Sequence, residues 1–275
     1  GMPCARKADE TLIVTLKDDF SDIELDLNYS VSDDSDILVR NTVVRNAGKE
    51  TAEIAKAFSF CMELPDTGGT YSALRLASSW ARERTPVVTP LADGTLRIES
   101  ARGYSSHQMN PFLAVLADSC GEEYGECYGF SLLYSGSFAI TAEVSQHKSV
   151  RVQGGINDYL FSWQLKGGET LATPQAALCY SSEGIGGMSR AYHDFFREYI
   201  IDPKRVYARR PIVINNWEAT YFDFDNEKLC SIIDEAAKLG VDTFVLDDGW
   251  FGKRDDDTSG LGDWFVNERK LKGGL

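Results

Sequence analysis

Histidine, methionine and proline are scarce in this chain, at three, four and eight of 275 residues. The three histidines (His107, His147, His193) stand far apart, and the six cysteines contain no C-x-x-C pair, so no metal-ligand set can be drawn from spacing. No Ser-His-Asp or Cys-His arrangement can be assembled either. Neither a metal nor an organic cofactor is expected. Basic residues are in deficit: 28 Lys and Arg stand against 42 Asp and Glu, a formal net charge of −14. Nucleic acid and anionic membrane surfaces are therefore unfavourable partners. No apolar run is long enough to span a bilayer, and no secretory leader pattern is seen. Scattered cysteines in a chain of this size read as free thiols in a reducing compartment, and the cytoplasm is the expected location. Gly1 before Met2 reads as the remnant of an expression tag.

What is present is an ordinary globular composition, 43% apolar and 25% charged. From Thr11 to about Tyr180 the pattern is β. Ile23, Leu25, Leu27, Tyr29 and Val31 alternate with polar residues, as a strand with one wet face requires. Similar runs occupy 37–44, 57–64, 129–134, 138–144 and 159–165. Turn signals separate them at 33–36, 46–48, Thr67-Gly68-Gly69, 92–94 and 166–168. Many short strands with regular turns predict a large antiparallel β-sandwich over residues 1–183. The period then changes. Ile185, Met188, Tyr192, Phe195, Phe196 and Tyr199 recur at three-to-four spacing, predicting a helix over 183–200 closed by Asp202-Pro203. Residues 184–210 are read as a helical connector.

From Pro211 to Trp264 the pattern is α/β. Ile212-Val213-Ile214 and Thr243-Phe244-Val245-Leu246 are apolar runs. Between them Leu229, Ile232, Ile233, Ala236 and Leu239 mark a helix, with Asp225 placed to cap its start and Gly240 to end it. Apolar strands flanking an amphipathic helix predict a βαβ unit with parallel strands, whose polar residues beyond the strand ends form the site. Those residues are Asn216, Trp217, Asp247, Asp248 and Trp250. Amides, carboxylates and indoles without a lysine suit a neutral polyol with one apolar face, such as a sugar. A closed (β/α)8 barrel needs eight strand–helix units, and only about two are countable in residues 211–275.

Three segments carry a specific resemblance: Asn215-Asn216-Trp217-Glu218-Ala219-Thr220-Tyr221-Phe222, Leu246-Asp247-Asp248-Gly249-Trp250-Phe251-Gly252-Lys253-Arg254 and Leu261-Gly262-Asp263-Trp264-Phe265-Val266. With Trp80-Ala81-Arg82-Glu83-Arg84 and Ser105-Ser106-His107-Gln108-Met109-Asn110-Pro111-Phe112 upstream, they resemble glycoside hydrolase family 36, the α-galactosidases acting on melibiose and raffinose. The resemblance covers nearly the whole chain. It implies a mainly β fold: a supersandwich lacking its earliest strands, a linker helix, and the first βα units of a truncated TIM barrel. It implies a parent that is a retaining α-galactosidase, often a homotetramer. The family's nucleophile and acid/base aspartates lie in later barrel strands, and no segment here matches them. The 275 residues alone are therefore expected to be inactive, with no catalytic residue among them. The expected substrate-binding residues are Asp247, Asp248, Trp217 and Trp80, each matching a family residue that lines the galactose pocket.

Each residue has a plainer reading. Asp247 and Asp248 could cap the following turn. As neighbours on a strand they point to opposite faces, which argues against their being a glycosidase's catalytic pair. Trp80, from composition alone, reads as core. Trp250 and Trp264 read as structural, His107 as a satisfied loop histidine, and Arg82-Glu83-Arg84 as a surface ion-pair cluster. Gly184-Ile185-Gly186-Gly187 is not a dinucleotide loop, since Ser189 replaces the third glycine. Residues 255–263 imitate a calcium loop but place Val266 where a glutamate belongs. Two other functions remain open: a non-catalytic carbohydrate-binding or oligomerisation module, and an α-N-acetylgalactosaminidase of the same family.

Overall fold

The computed structural model describes residues 2–65 and 69–275. Gly1 and the first two residues of the turn expected at Thr67-Gly68-Gly69 lie outside them. The chain divides into two compact units, Gly1–Val206 and Tyr207–Leu275.

The first unit is a two-sheet sandwich. Its early strands are β1 (Glu10–Lys17), β2 (Ile23–Ser32), β3 (Ser35–Asn46), β4 (Ala52–Ile54) and β5 (Phe58–Leu64). Then come β6 (Tyr71–Ser79), β7 (Arg82–Pro90), β8 (Gly94–Ser100), β9 (Met109–Ala117) and β10 (Cys127–Leu132). The last are β11 (Phe138–Val144), β12 (Val150–Ile156), β13 (Trp163–Leu165), β14 (Thr170–Ala172) and β15 (Ala176–Ser181). Nine strands form one sheet, in the order β1-β2-β3-β15-β10-β9-β6-β7 with β14 beside β3. The facing sheet is β5-β12-β11-β8. Every pairing in both is antiparallel.

Side-chain alternation explains the layers. Leu113, Val115, Phe130 and Leu178 point from the large sheet onto Phe60, Phe138, Ile140 and Val152 of the small one, all buried. Phe60 and Phe130 stack across the gap, centroids 5.5 Å apart. The opposite face of the large sheet presents Ile37, Val39, Ala114, Leu116 and Ala177 to a helix, α1 (Gly184–Phe195). Because β9 is covered on both faces, its sequence Pro111-Phe112-Leu113-Ala114-Val115-Leu116 is apolar without alternation. β7, at the sheet edge, tolerates Pro86 and Pro90.

Two elements differ from the sequence-based expectation. The helix expected over 183–200 is α-helical only to Phe195 and widens into a π turn at Phe196–Ile200, with Ile201 N–H donating to Phe196 O. That turn keeps Phe195 and Tyr199 stacked at 5.4 Å over the sheet. The strand expected over 159–165 shrinks to Trp163–Leu165. Asn157 is the cause: its amide donates to Ser100 O and Phe138 O, and its Oδ1 accepts from Tyr159 N–H, folding the chain into a turn. Gly129 lies under α1, where a Cβ would come within 2.7 Å of Tyr192 Cε2 and 2.8 Å of Met188 Sδ. Tyr192 is buried there with its hydroxyl donating to Ala177 O at 2.9 Å, and burial pushes its phenol well above the ordinary range. A short helix, α2 (Pro203–Val206), ends the unit.

The second unit begins with β16 (Val213–Asn215), passes through α3 (Trp217–Thr220) and α4 (Asn226–Lys238), and reaches β17 (Thr243–Val245). β16 and β17 pair in parallel, making the expected βαβ unit. Asp225 caps α4 by accepting from Lys228 N–H at 2.9 Å, and the chain turns at Gly240. The core of this unit is small: Phe224, Leu229 and Leu271, with Phe244, Leu246, Trp250 and Val266 packed against them. Among the described residues, no helix is long and apolar enough to cross a membrane.

Candidate functional site

The parallel register places Asn215 opposite Val245, so the chain leaves both strands at the same end. The segments just past the two strand ends are tied to each other. Asn215 Nδ2 donates to Asp247 Oδ2 at 2.6 Å, and its Oδ1 accepts from Trp217 N–H at 2.7 Å. Asn216 is fully buried; its Oδ1 accepts from Asp247 N–H at 2.8 Å while its Nδ2 donates to Thr220 Oγ1 at 2.9 Å. A buried amide satisfied at both ends fixes the two loops against each other. Asn216 is therefore structural, and the exposed chemistry belongs to its neighbours.

Asp247 Oδ1 accepts from Asp248 N–H, and Asp248 Oδ1 accepts from Gly249 N–H, both at 2.7 Å. Asp248 Oδ1 also receives Arg254 Nε at 2.5 Å. Arg254 is buried, and its Nη1 donates to Ser259 O. The Arg254 hydrogen bond holds the Asp248 carboxyl below the usual carboxylate range, against the opposing effect of partial burial. The hydrogen bonds to the Asp248 carboxylate from Gly249 and Arg254 both fall on Oδ1, and the side chain keeps 24% of its surface exposed, so an ionised acceptor is held on a fixed base.

Aromatic rings supply the other wall. Trp217 is half-buried and meets Phe222 edge-on at 4.9 Å and Tyr221 at 5.2 Å. Phe222 in turn lies against Gly249, where φ is +86° and a Cβ would come within 2.9 Å of the Phe222 ring. The Arg254 guanidinium stands 5.7 Å from the same ring. Phe222 thus touches both Trp217 and the Asp248–Gly249–Arg254 turn. Lys270 braces this layer, donating to Phe222 O at 2.8 Å and pairing with Asp255 at 3.1 Å.

Trp217, Asp247 and Asp248 are therefore brought together in the second unit. Trp80 belongs to the first, at the tip of the β6–β7 hairpin, and is 93% exposed. The core reading of Trp80 is overturned: Ala81 and Arg84 take positive φ, 56° and 49°, and Arg84 N–H donates to Ser78 Oγ at 2.6 Å, so the tight turn presents the indole outward. Trp264, read as structural, is 65% exposed and packs its ring on Phe251 at 4.5 Å. His107 is exposed in its loop. In the acidic run, Asp255 pairs with Arg269 and Lys270, and Asp256 accepts from Thr258. Sequence reasoning did not single out Arg254, Phe222 and Lys270, although Arg254 and Phe222 close two of the motifs that carry the family resemblance. A groove of about 390 Å³ in the first unit, lined by Leu74, Leu76, Phe112, Met188 and Tyr192 among others, offers no carboxylate to a polyol.

A family model for the glycosyl hydrolase family 36 N-terminal domain matches residues 1–166, and a melibiase model matches residues 170–275. Alpha-galactosidase AgaA of Geobacillus stearothermophilus is 44% identical over 266 residues, taking in 97% of this chain and 36% of that protein. Alpha-galactosidase 1 of Pediococcus pentosaceus is 43% identical over 279 residues, taking in 100% of this chain and 38% of its own length. Among solved structures, a variant of the Geobacillus stearothermophilus enzyme in complex with raffinose matches with a TM-score of 0.92 at 41% identity, over 100% of this chain and 38% of that one. The chain spans little more than a third of the length of these relatives.

Proposed function

This chain belongs to glycoside hydrolase family 36, and on that footing we propose that it is part of a retaining α-galactosidase that removes terminal α-linked galactose from melibiose- and raffinose-type oligosaccharides. The 275 residues supply part of the sugar-binding shell. The carboxylate that attacks the anomeric carbon and the acid that protonates the leaving oxygen belong to later barrel strands, so this chain by itself does not hydrolyse. Residues 1–183 form the N-terminal β domain, 184–210 the connector and 211–275 the opening of the catalytic barrel. A cytoplasmic location fits the six free cysteines, and assembly of the whole protein as a homotetramer belongs to the same reading.

The observation that carries it is the linked pair of strand ends. Asp248, kept ionised by Arg254, accepts from sugar hydroxyls. Asp247, braced by Asn215, accepts from a second hydroxyl. Trp217, propped edge-on by Phe222, lies under the apolar face of the ring. Trp80, on the sandwich, is included among the substrate-binding residues on the family resemblance alone. An aryl α-galactoside assay is expected to give no turnover above a buffer blank with this chain; measurable turnover would place the catalytic pair inside it. Galactose titrated into labelled protein is expected to shift the Trp217 indole and Gly249 amide resonances weakly, in the millimolar range, and Asp248→Ala is expected to abolish those shifts. Unmoved resonances would refute the site.

A further inference from the structure

We propose that two copies of this chain associate through β1, their free edges pairing antiparallel about a two-fold axis at Ile13. β1 ends the large sheet, and among the described residues no strand bonds to its outer side. Every residue of β1 is exposed, with Leu12 at 63%, Ile13 at 56% and Leu16 at 48%. Leu12, Val14 and Leu16 lie opposite Tyr29, Leu27 and Leu25 of β2, so they extend the row through which Leu25 packs beside Val44 and Leu165. That row loses its cover at β1.

Sheet edges are ordinarily blunted by charge, proline or a bulge, because their unpaired backbone groups recruit further strands. β7, at the opposite end of the same sheet, has all three. It carries Arg82, Glu83 and Arg84, contains Pro86 and Pro90, and its ladder with β6 shifts register between Ala77 and Ser79. β1 has neither a proline nor a register shift. Its ladder with β2 runs unbroken from Glu10 to Lys17, and between those end charges stands Thr11-Leu12-Ile13-Val14-Thr15-Leu16. The chain as a whole carries −14 and repels its own copies, so a six-residue uncharged edge is where a second copy approaches at low electrostatic cost.

Hydrogen bonding and charge select the register. Asp18 N–H donates to Ile23 O at 2.9 Å, in step with the β1–β2 pairing. The even-numbered residues of β1 therefore bond to β2, while Thr11, Ile13 and Thr15 turn their N–H and C=O groups to the free edge. A two-fold axis normal to the sheet keeps like faces together, so odd positions meet odd and even meet even. Centred on Ile13, the pairing sets Ile13 opposite itself, Thr11 opposite Thr15 and Leu12 opposite Val14. Lys17 of each copy then falls opposite Asp9 of the other, which its N–H bond to Val31 O holds in line beside β2. Centred on Val14, the pairing would oppose Glu10 to Asp18; centred on Leu12, it would oppose Lys7 to Lys17. Like charges directly opposite disfavour both. The inference stands on the sandwich alone and does not depend on the α-galactosidase reading.

The test follows the 275-residue chain by sedimentation and light scattering over a concentration series, with circular dichroism to check the fold. A particle of about twice the chain mass is expected, dissociating on dilution. Ile13→Pro removes an outward N–H without removing a β1–β2 bond, and is expected to leave a folded monomer. Lys17→Asp and Asp9→Lys are each expected to weaken the dimer, and the two together to restore it, a readout that holds even if Ile13→Pro fails to fold. Hydrogen exchange is expected to show Thr11, Ile13 and Thr15 amides slowing as concentration rises. A monomer at every concentration, a dimer that persists in folded Ile13→Pro, or an exchanged charge pair no better than its single variants would overturn the proposal.

Discussion

Asp248 is held ionised by a partner that is itself enclosed. Arg254 is buried against Phe222 and Phe251 and spends its Nε on Asp248. The folded pKa of Asp248 lies below its unfolded value, about 3.9 for an ordinary aspartate. Its contribution to stability is therefore complete above that value and is lost as pH falls through the folded pKa. Urea midpoints of the parent chain and Arg254→Met are expected to differ by a constant amount above about pH 5, the gap narrowing as pH drops below about 4. A gap independent of pH down to the folded pKa would show that Arg254 acts by packing alone. Asn216 is the second residue to test. Asn216→Ala removes a fully buried amide and leaves the part-buried Asp247 N–H without its acceptor, and is expected to cost roughly 1–3 kcal/mol in denaturant unfolding. Of the residues that build the site, Asp247, Asp248 and Trp217 were legible because strand-end chemistry is local in sequence. Arg254 was not, since nothing local says that a charged side chain in an acidic loop turns inward.

Among the elements, α1 and the sheet beneath it meet at Gly129, where Tyr192 and Met188 occupy the space a Cβ would need. Both side chains are buried and pinned, Tyr192 by its bond to Ala177 O. Gly129→Ala is expected to destabilise the sandwich by about 1–3 kcal/mol, the usual cost of overpacking, read by chemical denaturation; a neutral change would mean that α1 can shift outward. The strands most visible in the sequence were those with an explicit period of two, such as β2, although in the folded chain residues 23–30 of β2 are evenly half-buried and the expected wet face is not seen. β9, covered on both faces, shows no alternation, and β7 is punctuated by prolines, so neither is marked by the same signal. The α4 boundaries were legible because caps are local: Asp225 bonds three residues ahead and Gly240 needs only its own φ.

At the scale of the molecule, the two units differ in how much they bury. The first closes fully buried Leu113, Val115, Phe138, Ile140 and Val152 between a nine- and a four-stranded sheet, whereas the second rests on Phe224, Leu229 and Leu271 beneath two short parallel strands. Two-stranded sheets are marginal without further support. Calorimetry is expected to show two transitions, and hydrogen exchange to show β16 and β17 amides exchanging well before those of β9 and β10. A single cooperative transition with uniform protection would contradict this.

Periodicity, caps and strand-end residues, all read along the chain, determined by themselves that this protein is a β-sandwich followed by a parallel βαβ unit, with carboxylates and an indole beyond the strand ends; that this unit opens a barrel was implied by the family resemblance. Those signals arise from interactions between residues a few positions apart, which a linear pattern records. Only the tertiary structure decided that Trp80 stands outward on a hairpin, that Asn216 is consumed as a brace, and that Arg254 reaches inward to charge-pair with Asp248. These outcomes depend on which surfaces are left once the sheets and loops have packed, and packing is settled between residues that the sequence keeps apart.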